Sequence, residues 1–71
     1  MTEYNINIPY ARARYEEHRI KGLKLKEAEM FDELNFIYGN NGFSETLAKG
    51  KLKEHGVDNY LKALESILNE E

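Results

Sequence analysis

Two histidines, His18 and His55, and two serines, Ser44 and Ser66, are the side chains of this chain best suited to proton transfer or nucleophilic attack. A serine nucleophile needs a histidine base within hydrogen-bond reach and a third group to orient that base. The spacing offers no such unit: Ser44 reads as a helix cap, and Ser66 falls on the polar face of an amphipathic stretch. No phosphate-cradling glycine motif is present. The carboxylates Glu29, Asp32 and Glu33 recur at i, i+3 and i+4, a spacing from which oxygen ligands can meet a hard cation. On an amphipathic helix the same spacing describes a solvated face, and that is the reading adopted. No enzymatic activity, metal, cofactor or small-molecule ligand is expected.

The second chemistry on offer is electrostatic. Residues 10–26 carry Arg12, Arg14, Arg19, Lys21, Lys24 and Lys26 against Glu16 and Glu17, while residues 27–71 carry four lysines against ten carboxylates. The chain is a basic segment followed by an acidic body, with a net charge of −3. Arginines interleaved with Tyr10 and Tyr15 suit phosphate and unpaired bases. The nucleic-acid alternative therefore names Asn5, Asn7, Arg12, Arg14, Arg19 and Lys21. Against it, Arg12/Glu16 and Glu17/Lys21 are i,i+4 pairs that neutralise charge along a helix.

These residues must be positioned by very little chain. Seventy-one residues make one small domain. A chain of this size buries only about 60% of its unfolded surface, so a partner or a second copy would help it. There is no cysteine, which removes disulfides and thiolate metal sites. No apolar run reaches the length of a membrane span. A cytoplasmic location and no membrane partner are expected.

The expected fold is mainly α: a small bundle of three to four helices preceded by an N-terminal extended strand or arm. In YNINIPY, residues 4–10, Tyr4, Ile6 and Ile8 alternate with Asn5 and Asn7, the period-2 pattern of a strand, predicted over 2–8. Pro9 suits the first turn of a helix, predicted over 9–21 and ended by Gly22. A second helix is expected over 24–38, with Met30, Phe31, Leu34, Ile37 and Tyr38 inward and Glu29, Asp32 and Glu33 opposite. Leu25 and Phe36 fall on that acidic side. GNNG at 39–42 is a turn. A third helix is expected over 44–55, capped by Ser44 and weakened at Gly50. A fourth is expected over 58–69, where Tyr60, Leu61, Leu64, Ile67 and Leu68 form the cleanest stripe. Helices two and four should make the core, bridged by Phe43, Leu47 and Leu52.

The stretch YNINIPYARAR, residues 4–14, resembles the opening of ribbon–helix–helix repressors. In that family an N-terminal strand precedes a proline-opened helix, two copies pair their strands, and outward polar residues enter the DNA major groove. The resemblance implies Asn5 and Asn7 as the readers, with Glu3 third. GFSETLA, residues 42–48, is similar to the start of that family's second helix. The chain departs from the pattern in length: residues 10–42 lie between Pro9 and Phe43, where the family has one short helix.

The functional expectation is a small non-enzymatic protein-interaction module of the regulator or inhibitor type, of the kind carried by phages and mobile elements. It would act as a homodimer or by binding a larger protein. The expected contact residues are Ile6, Ile8, Leu25, Glu29, Asp32, Glu33 and Phe36. A DNA-binding regulator is the alternative.

Overall fold

The structure, a computed structural model, describes residues 6–69. Four helices follow one another: α1 (Ile8–Lys21), α2 (Glu27–Ile37), α3 (Gly42–His55) and α4 (Tyr60–Asn69), with a single 3-10 turn at Val57–Asn59 leading into α4. No strand is present among the described residues. The mainly helical expectation holds. The strand predicted over 2–8 lies outside the described residues at 2–5, and beyond them it is replaced by a helix start.

The reason is Asn7. Its side-chain oxygen accepts from the Tyr10 N–H at 3.2 Å, and its carbonyl accepts from Ala11 at 3.0 Å. Asn7 is thus the N-cap of α1, and Ile8 and Pro9 are its first residues. Asn7 and Ile8, the last two residues of the alternating stretch, are the cap and the first residue of a helix. The Asn7 N–H is not left open: it donates to the Ile37 carbonyl at the end of α2, 2.8 Å away. A spare donor ahead of one helix and a spare acceptor at the end of another satisfy each other.

Helix α1 ends where expected, on Gly22 at φ 89°, whose N–H reaches the His18 carbonyl at 2.9 Å. Helix α2 begins three residues later than predicted. Lys26 is extended, and the Glu29 carboxylate reaches back to accept its N–H at 2.8 Å. Glu27 and Glu29 stand in the first turn, where the helix dipole favours negative charge. The turn after α2 takes left-handed backbone at Gly39 and Asn40, as its composition implied.

Helix α3 begins two residues earlier than expected and is capped by Asn41, not Ser44. The Asn41 side chain accepts from the N–H groups of Phe43 (2.8 Å) and Ser44 (3.0 Å), and the Ser44 hydroxyl accepts from the Asn41 N–H at 2.7 Å. Ser44 is the third residue of a reciprocal capping box and is itself buried. That places Phe43 one residue round the helix, facing solvent at 69% exposure. The expectation that Phe43 bridges the core is corrected. Gly50 does not interrupt α3, which runs unbroken to His55 and ends on Gly56 at φ 80°.

Leu34, Ile37, Tyr60, Leu64 and Ile67 are fully buried, joined by Ala11, Met30, Tyr38, Ala48 and Leu52. Each large aliphatic side chain contributes about 1.5–3 kcal/mol by leaving water. Helices α2 and α4 supply most of this core, as their periodicity predicted, and Leu52 of α3 closes it.

Candidate functional site

Two arrangements stand out, one buried and one on the surface. The buried one centres on Glu33 of α2. The sequence reading placed Glu33 on a solvated acidic face; it is 7% exposed, which corrects that placement. Its carboxylate accepts from Arg14 Nε at 2.6 Å and from His18 Nε2 at 3.1 Å, both on α1, and from the Tyr60 hydroxyl at the start of α4. One acceptor therefore ties three of the four helices together. The His18 ring meets the Tyr60 ring edge-on at 5.9 Å between centroids. Burial, and then the bond to Glu33, push the Tyr60 phenol well above its ordinary range. The hydrogen bond to Glu33 raises the Arg14 guanidinium further.

This arrangement contains a histidine, a carboxylate and a hydroxyl, but it is closed to a substrate. His18 is 5% exposed and Tyr60 is fully buried. The cleft beside His18, lined also by Glu17, Lys21, Lys24 and Leu25, holds about 260 Å³, below the range usual for ligand pockets. Both serines are also committed. Ser44 lies within the α3 cap, and the Ser66 hydroxyl accepts from Lys51 Nζ at 2.7 Å. His55 Nε2 makes no hydrogen bond among the described residues. Among those residues no group of three histidines or carboxylates converges on a metal position.

The surface arrangement is an open groove of about 790 Å³ between α2 and α3. Its floor is Ala28, Phe31, Leu52 and Val57, with Gly56 at one end. Glu27 stands on the α2 edge, and Lys49 and Lys53 stand on the α3 edge. Asp32, next to Phe31 in sequence, is exposed but does not line the groove. None of these four charged residues forms an ion pair among the described residues. A second cleft, lined by Leu23, Leu25 and Met30, continues the groove by sharing Glu27 and Val57.

The expected contact residues are dispersed by the fold. Leu25 sits at the end of the groove, partly buried against the core. Glu29 is spent on the start of α2, and Asp32 is exposed. Phe36 is 49% exposed but lines no part of the groove; it packs edge-on against Tyr10 of α1 with centroids 4.7 Å apart. Ile6 and Ile8 are partly buried on the core below α1. Of the residues named for nucleic acid, Asn5 lies outside the described residues and Asn7 caps α1. Arg14 is drawn inward to Glu33 and Glu17, Arg19 pairs with Glu16 and Lys21 with Glu17, both at 3.6 Å. Arg12 is exposed and has an interaction of its own.

Sequence reasoning missed the Glu33 hub and the groove. Glu33 sits three residues after Met30 and four before Ile37, which is the inward spacing, so the signal for its burial was present. Ala11, Arg14, Tyr15 and His18 repeat the same spacing on α1 and form its inner face. The groove had no comparable signal, because Lys49, Lys53 and Val57 approach Phe31 only through the α2–α3 packing. No helix among the described residues is long and apolar enough to cross a membrane. Comparison with protein-family models, characterised proteins and solved structures finds no match to the chain.

Proposed function

We propose that the chain is a small non-enzymatic protein-interaction module, of the regulator or inhibitor type, that engages its partner through the α2–α3 groove. The observation that carries this reading is the groove itself: an apolar floor of Ala28, Phe31, Leu52 and Val57 between charged edges that find no ion-pair partner among the described residues. Apolar floors with polar rims are the usual anatomy of protein contact surfaces. A groove between two packed helices suits an amphipathic helix laid along it. His18, Ser44 and Ser66 fit the same reading, since each is held in a structural network or bonded to a neighbour.

Selection of short displayed peptides against the folded chain tests the reading. Binders should compete with one another and should be amphipathic. Their affinity should fall at least about tenfold, or 1.4 kcal/mol, on Ala28→Glu, an exposed position where a carboxylate blocks the floor without touching the core. Binders indifferent to Ala28→Glu and to Lys53→Glu would overturn the assignment of this surface.

A further inference from the structure

We infer that the groove's occupant is a second copy of this chain, packed face to face about a two-fold axis that runs along the groove. The inference rests on the reading of the groove as a protein-binding surface and names its partner.

The argument is one of charge and symmetry. The α2 edge carries Glu27, with Asp32 next to Phe31 in sequence, and the α3 edge carries Lys49 and Lys53. Within one copy these edges stand apart across an apolar floor. A two-fold axis parallel to the groove exchanges its two edges, so each acidic edge of one copy faces the basic edge of the other. An axis across the groove would set like charges opposite, which is unfavourable. In charge, the surface is thus self-complementary in this one orientation. An isologous contact needs this property, because the same patch must serve both sides. Unlike charges at the rim set orientation and encounter, while the apolar floor supplies the affinity.

Exposure points the same way: Phe31 and Leu25 are only partly covered and Val57 is 37% exposed along the groove and the cleft that continues it. A second copy would cover them. Weak association is expected, with a dissociation constant on the order of 10–100 μM.

The test is solution mass by sedimentation equilibrium from about 10 μM to about 1 mM, a range that spans such an affinity. The mass should rise from 8.3 kDa towards twice that value. Two charge-reversed chains then separate the orientations. One carries Lys49→Glu and Lys53→Glu, so both its edges are acidic; the other carries Glu27→Lys and Asp32→Lys, so both are basic. All four positions are exposed, but Glu27→Lys and Lys53→Glu each oppose a helix dipole, so circular dichroism is recorded with each mass and only variants of parental helicity are compared. Each variant alone should self-associate at least tenfold more weakly, and an equimolar mixture should restore a dimer. A wild-type chain that stays monomeric throughout overturns the second-copy assignment. If displayed peptides still bind the groove, the module reading survives that failure; if they do not, both fall. A wild-type dimer indifferent to both reversals overturns the inference as well, because another face would then hold it.

Discussion

Replacing Glu33 with alanine removes the one acceptor shared by Arg14, His18 and Tyr60. The site is shut off from bulk water, because Tyr60 is fully buried and His18 is 5% exposed. A buried donor left without an acceptor costs about 1–3 kcal/mol. Arg14 adds little: its side chain is 27% exposed and keeps its bond to Glu17 at 2.7 Å. The hydroxyl and the imidazole together therefore set the loss, about 2–6 kcal/mol. A domain of 71 residues has only about 4–10 kcal/mol in total. Urea unfolding followed by helical circular dichroism reads the change. With a slope near 1 kcal/mol per molar urea, the midpoint should fall by about 2–6 M, or the chain should be unfolded before urea is added. Replacing the buried members of the hub with apolar groups, Glu33→Leu with His18→Leu and Tyr60→Phe, should recover much of the loss, since the one donor that remains, Arg14, is partly exposed and keeps Glu17. A Glu33→Ala midpoint within about 1 kcal/mol of the parent would refute the hub as the tie between α1, α2 and α4.

Further outcomes follow from the same geometry. The Tyr60 phenol is raised in the folded state by burial and by its bond to Glu33, so its contribution is present below the unfolded value near pH 10 and is lost as pH rises above it. Stability above pH 10 should fall by about 1.4 kcal/mol per pH unit from this group, and Tyr60→Phe should flatten the alkaline limb by that slope; parallel limbs would contradict it. Gly50 lies inside a continuous helix with nothing within 4 Å of an added Cβ, so Gly50→Ala should raise the urea midpoint by about 0.5–1 kcal/mol. Gly56 has equal space but a φ of +80°, so Gly56→Ala should lower it by about 1 kcal/mol. Asn41→Ala takes the acceptor from two N–H groups at the start of α3 and should cost about 1 kcal/mol in the same assay.

Where helix positions were decided by apolar spacing, the sequence was enough. Met30, Leu34 and Ile37 of α2 and Tyr60, Leu64 and Ile67 of α4 repeat at helical intervals and are the core. Glycines with positive φ, at 22, 39 and 56, marked the ends. Where polar groups decided, it was not. Asn7 and Asn41 outcompeted a strand pattern and a serine as caps, because an amide oxygen aimed at free N–H groups satisfies donors that a hydrophobicity pattern does not register. Glu33 read as solvated because it is a carboxylate between Asp32 and a leucine. Its burial depends on donors from residues 14, 18 and 60, remote in sequence. Phe43 read as core because it is apolar, and the cap at Asn41 turned it outward. The groove depends on how α2 lies against α3, which periodicity within either helix does not encode.

The α2–α3 groove is the proposed meeting place of this chain with its partner, a second copy of itself. Backbone amide NMR spectra recorded through a dilution series ending at about 1 mM would test it residue by residue. The account predicts concentration-dependent shifts gathered on Ala28, Phe31, Lys49, Lys53 and Val57, with α1 unmoved. Spectra that do not change with concentration, or shifts confined to Tyr10, Phe36 and the basic face of α1, would contradict it.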